Sequence, residues 1–165
     1  AAMELGKRHD FLVIPAVEIN TEEGHVLCYG LDKYVYGMHR WPELATHIEA
    51  AQGAMIAAHP YRRQMPWDAK VEADYKPGLE KACLNPSYLR CAGIEIINGR
   101  GKEIENQFSA ELCERLKMPA SAASDSHAPT DIGKCATEFL RPVSDLNELI
   151  VELKAGRFRP AALNR

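Results

Sequence analysis

Short apolar runs alternate along the chain with stretches whose apolar residues recur at helical spacing. Phe11–Asn20 (FLVIPAVEIN) is apolar on both faces, the pattern of a strand buried inside a parallel sheet. Thr21–Gly24 reads as a turn and His25–Leu31 as the next strand. Trp41–Gln52 has Leu44, Ile48 and Ala51 on one face, Pro42 in the first turn and Gly53 as its stop, which predicts a helix. Ala54–Ala58 (AMIAA) is a short buried strand running into His59-Pro60. Tyr61–Pro86, with Pro66, Pro77, Gly78 and Pro86, reads as a long irregular connection, and Ser87–Cys91 as a brief helix. Gly93–Ile97 (GIEII) is a strand, and Lys102–Lys117 a helix with Ile104, Phe108, Leu112 and Leu116 on one face. Strands are predicted at Met118–Ala123 and Cys135–Leu140, then a helix capped by Ser144 and ending at Ala155-Gly156. Ala1–Lys7 reads as the last turns of a helix with Gly6 as C-cap, as expected of a sequence that starts inside a domain.

Strands alternating with helices, several of them apolar throughout, predict an α/β fold with mostly parallel strands. In such folds the site gathers at the carboxyl ends of the strands. The length of 165 residues suits one domain, with no repeat or linker. A net charge of -3 offers no basic field for nucleic acid, and no apolar run reaches membrane-spanning length. Five cysteines with no CxxC pair are expected to be reduced thiols, as in a cytoplasmic protein.

The candidate chemistry lies at predicted strand ends. Glu18 ends the first strand, His25 begins the second, His59 follows AMIAA, and Asp125 and His127 follow the strand before AASDSHAPTDIG. Separation by two residues points Asp125 and His127 to one side of an extended chain. Mixed carboxylate and imidazole ligation suits zinc, manganese or iron better than calcium. Arg62 and Arg63 directly follow His59-Pro60, and Arg100 lies near Asn98 after GIEII; guanidinium groups beside such a rim are suited to phosphate. His9, His39 and His47 read as surface or structural residues. Ser124 and Ser126 read as loop residues rather than nucleophiles.

In this order, VIPAVEIN, AMIAAHP, GIEIINGR and ASDSHAPTDIGKCATEF resemble the PHP family, the polymerase and histidinol phosphatase domain. The resemblance implies a distorted (β/α)7 barrel binding two or three divalent metal ions at the carboxyl ends of its strands, usually for phosphoester hydrolysis. It implies that Glu18 is a bridging carboxylate and that His25, His59, Asp125 and His127 are further ligands. Glu95 falls on a matching strand and is not read as a ligand. The family's His-x-His motif has no counterpart here, so the opening strands and several ligands are expected from a longer protein, a separate chain or another copy. An open sheet edge invites homo-oligomerisation. The expected activity is metal-dependent hydrolysis of a small phosphorylated substrate, a nucleotide or sugar phosphate. The alternatives are a catalytically incompetent fragment or binding module, which would hold fewer metal ions or none, an exonuclease on short RNA or DNA, and a metal hydrolase that does not use phosphate.

Overall fold

Most of the apolar runs become strands, and one of them lies at the centre of the molecule. A computed structural model describes residues 2–161 and 163. The chain runs α1 (Ala2–Arg8), β1 (Val17–Asn20), β2 (His25–Tyr29), α2 (Trp41–Ala50), β3 (Ala54–Ala58), α3 (Tyr61–Gln64) and α4 (Val71–Cys83). It continues as β4 (Gly93–Asn98), α5 (Glu103–Leu116), β5 (Ala120–Ala123), β6 (Ala136–Phe139), α6 (Leu146–Lys154) and β7 (Phe158–Ala161).

Strands β1 to β5 form one sheet in sequence order. Pairings β1–β2 and β2–β3 are antiparallel, and β3–β4 and β4–β5 are parallel. The expectation of a mostly parallel sheet is thereby corrected. Thr21 closes the β1–β2 turn, its hydroxyl donating to the Gly24 carbonyl at 2.6 Å and accepting from the Gly24 N–H at 3.1 Å. So tight a turn can join only antiparallel neighbours.

Every residue of β3 is buried, because helices cover both faces of the sheet. On one face Met55, Ala57 and Ile94 lie in a core with Phe108 and Leu112 of α5. On the other, Ala54 and Ile56 meet Leu149, Ile150 and Leu153 of α6 and Phe158 of β7. This two-sided burial explains the uninterrupted apolar AMIAA.

The described strands form an open sheet and a separate two-stranded ribbon, β6–β7; the part of a (β/α)7 barrel that the resemblance implied is seen among them only as this open α/β sheet. Thr137 of β6 gives the local reason. Its hydroxyl accepts from the Ala122 N–H at 2.9 Å and donates to the Ala122 carbonyl at 2.8 Å. A side chain therefore stands where the main chain of a sixth strand would pair.

Several element boundaries also move. Phe11–Ala16 forms no strand, and Pro15 has no N–H to offer one. Gly6 lies inside α1 rather than at its end. Helix α4, with Pro77 inside it, occupies part of the stretch read as irregular. Burial of Gly78, Leu79 and Ala82 offsets a proline cost of roughly 3 kcal/mol. The cap of α6 is Asp145, which accepts from the Glu148 N–H at 2.8 Å, while Ser144 bonds the Glu148 carboxylate.

Candidate metal centre

Three elements bring together residues far apart in sequence. The β1–β2 register sets Asn20 opposite His25, and the β2–β3 register sets His25 opposite Ala58. Glu18, two residues back on β1, presents its side chain on the same face as His25. His59 follows Ala58 directly. The Glu18 Oε1 lies 2.7 Å from His25 Nδ1 and 3.3 Å from His59 Nε2. The two imidazoles meet edge to face, with centroids 5.0 Å apart. One ligand atom from each of Glu18, His25 and His59 falls within 4.8 Å of the others.

The electrostatics of this corner favour an anion at Glu18. The hydrogen bond from His59, against the opposing effect of partial burial and with help from His25, holds the carboxyl down at about 2. The second nitrogen of His59, Nδ1, is buried without a hydrogen-bond partner among the described residues. An ionised carboxylate and two imidazoles whose ligand atoms lie this close fit a divalent ion of the zinc, manganese or iron kind.

His59 has φ of +29°, rare for a residue with a side chain and more so before a proline. Such a conformation costs of order 1–3 kcal/mol and persists only where its surroundings enforce it. Glu95, in the middle of β4 and 2% exposed, meets this stretch of backbone. Its Oε2 accepts from the His59 N–H at 2.7 Å and from Asn98 Nδ2 at 3.2 Å. Burial pushes its carboxyl above the usual range, against those two donors.

Asn98 carries the network on to β5. Its Nδ2 also donates to Asp125 Oδ2 at 3.2 Å, and its Oδ1 accepts from Arg62 at 3.3 Å and from the Arg100 N–H at 3.0 Å. Arg62 pairs with Asp125 Oδ2 at 3.1 Å. Asp125 too has positive φ, +50°. Gly99 lets the two strand ends approach, for a Cβ there would lie 2.7 Å from the Ser124 carbonyl oxygen.

The sequence-derived residues thus divide. Glu18, His25 and His59 converge on one point. Asp125, Asn98 and Arg62 form an adjoining polar cluster. His127 is 66% exposed, with Nδ1 2.9 Å from the carbonyl of Asp125 in its own loop. Arg63 ties down the β1–β2 turn through Asn20 Oδ1 at 2.7 Å and the Thr21 carbonyl at 3.3 Å. Arg100 contributes its main-chain N–H to Asn98. Glu95 is the residue sequence reasoning set aside. Its signal was a lone carboxylate inside an apolar run, three residues before Asn98.

The fold and site together are an α/β sheet with a carboxylate and two imidazoles at one rim. Residues 103–158 match the family model PHP_C, described as PHP-associated. The fold is similar to the crystal structure of PsfC from Pseudomonas syringae PB-5123, with a TM-score of 0.61 and 18% identity over 91% of this chain and 59% of that one. The chain therefore spans about three fifths of that protein's length, and the likeness is one of fold. A comparison with curated proteins found no match.

Proposed function

We propose that the rim holds divalent metal for hydrolysis of a small phosphorylated substrate, a nucleotide or sugar phosphate. The observation that carries this reading is the convergence of ligand atoms from Glu18, His25 and His59 within 4.8 Å. Those three residues would hold an ion of zinc, manganese or iron, and Asp125 and His127 on the adjoining loop would extend the ligand set. When bound, such an ion lowers the pKa of water and polarises phosphoryl oxygens. The chain's own side chains do the rest. Glu18 is ionised at neutral pH, since its carboxyl titrates at about 2. Arg62, 35% exposed and anchored on Asp125, presents a cation where phosphate charge needs neutralising. Arg63 and Arg100 add positive charge further along the rim.

A complete family site takes two or three ions, and a closed barrel needs strands beyond those described. A second reading follows from the position of Asp125: engaged by Arg62 and Asn98, it belongs to a polar cluster suited to a binding module without turnover. Exonuclease action on short RNA or DNA is a third, less suited to a net charge of -3.

Elemental analysis of the purified chain, followed by hydrolysis assays on p-nitrophenyl phosphate, nucleoside monophosphates, sugar phosphates and oligonucleotides, separates these readings. Bound metal that falls at least tenfold in affinity in His59→Ala, together with turnover lost in Asp125→Ala, is the expected result. Metal binding with no turnover on any phosphate ester selects the binding module. No metal uptake by the folded chain overturns the proposal.

A further inference from the structure

Glu95 lies outside the candidate ligand set, yet three of the strands that build the rim meet through it. It is almost fully buried on β4, and its Oε2 takes the main-chain N–H of His59 at the end of β3 at 2.7 Å. The same oxygen takes Asn98 Nδ2, and that nitrogen reaches Asp125 at the end of β5. The residue it grips is the one in the unfavourable conformation: His59 has φ of +29° and precedes Pro60. Without an acceptor, the His59 N–H is a buried donor with no partner, and the backbone loses the contact that opposes its relaxation. Glu18 and His59 are 3.3 Å apart, so a rotation of the His59 backbone moves the imidazole away from the carboxylate directly.

We infer that Glu95 is a positioning residue, whose buried carboxylate oxygen sets the backbone of His59 so that its imidazole faces Glu18 and, through Asn98, sets Asp125 beside it. The inference rests on the metal reading above. Its physical content is an acceptor atom at a defined place, because ligands must be held within about 0.5 Å of working geometry. Glutamine in place of Glu95 keeps an oxygen acceptor at that distance. Aspartate keeps a carboxyl group and withdraws the acceptor by one methylene.

The test compares Glu95→Gln, Glu95→Asp and Glu95→Ala with the wild type. Co2+ alone is the probe, followed by its visible absorption and by calorimetry. Folding of each variant is checked by thermal melting. Glu95→Gln is expected to bind within about threefold of wild type with the same Co2+ spectrum, since the acceptor is retained. Glu95→Asp and Glu95→Ala are expected to lose about 10–100-fold, the range seen when a residue supporting a ligand is removed, and to alter the spectrum. Should Glu95→Ala fail to fold, the contrast between glutamine and aspartate decides. Wild-type affinity in Glu95→Asp, or a glutamine variant as weak as the aspartate one, overturns the inference.

If the wild type itself binds no Co2+, the metal reading has failed and the positioning is read from the metal-free protein. There the ring resonances of His59, followed by NMR with labelled histidine, move in Glu95→Asp and stay near wild type in Glu95→Gln. Unmoved His59 resonances in the aspartate variant overturn the positioning role on their own.

Discussion

Glu18 is the titrating residue whose environment is best defined. The hydrogen bond from His59 outweighs the cost of partial burial, and His25 adds to it, so its folded value is about 2 against an ordinary 4.5. A lowered carboxyl value means the folded state prefers the anion. The stability this supplies is complete above the ordinary glutamate value and disappears as the pH falls through about 2. Glu18→Gln is expected to melt below wild type at pH 6, with the gap closing between about pH 4.5 and 2. A gap that stays constant across that range would show that the histidines do not favour the Glu18 anion. Glu18, His25 and His59 were legible as residues because carboxylates and imidazoles at the ends of apolar runs stand out. Glu95 was not, because a carboxylate on a strand reads as exposed until the neighbouring strands are known.

Elements carry these residues only if they end in the right place. Strands β4 and β5 end beside each other because Gly99 lacks a side chain; a Cβ would press on the Ser124 carbonyl oxygen at 2.7 Å and the Lys134 Cβ at 3.0 Å. Gly99→Ala is expected to cost roughly 1–3 kcal/mol, as overpacking does, and to part Asn98 from Asp125. Thermal melting and the amide side-chain signals of Asn98 report the two effects, and an unchanged melting point would mean the loops yield freely. Asp145 caps α6 through the Glu148 N–H, so Asp145→Ala is expected to cost about 1 kcal/mol. Ser144→Ala, which removes only a bond to an exposed carboxylate, is expected to cost less. The reverse order in denaturant titrations would return the cap to Ser144. Most elements were legible from their periodicity. Helix α4 was not, since proline and glycine at 77 and 78 argue against a helix locally, and burial of Leu79 and Ala82 overrides them. Strand β7 was missed for a related reason. Phe158–Ala161 contains Pro160, and its partner, β6, comes nearly twenty residues earlier.

The whole molecule is a sheet with cores on both faces, joined through β3. Leu112 lies in one core and Leu153 in the other, both nearly inaccessible. Leu112→Ala and Leu153→Ala are each expected to cost about 2–5 kcal/mol. With no shared partners between the two clusters, the double variant should lose the sum to within about 0.5 kcal/mol. Urea titrations check this. A large departure from additivity, or two transitions in the wild type, would mean the faces are coupled differently or fold apart. Among the described residues no helix is long and apolar enough to cross a membrane.

By itself the sequence determined the α/β alternation, the central buried strand AMIAA and the two amphipathic helices at 41–52 and 102–117, and it offered Glu18, His25 and His59 as candidates at the ends of apolar runs. These follow from local periodicity and residue type, which act over a few residues. Tertiary structure alone decided that β3 runs antiparallel to β2 and parallel to β4, that Thr137 takes the main-chain bonds of Ala122 at the sheet edge, and that Asp125 pairs with Arg62. It also decided that Glu95 is buried beneath His59. Each depends on contacts between segments roughly fifteen to sixty residues apart, and no pattern within one segment specifies which distant polar group will meet it.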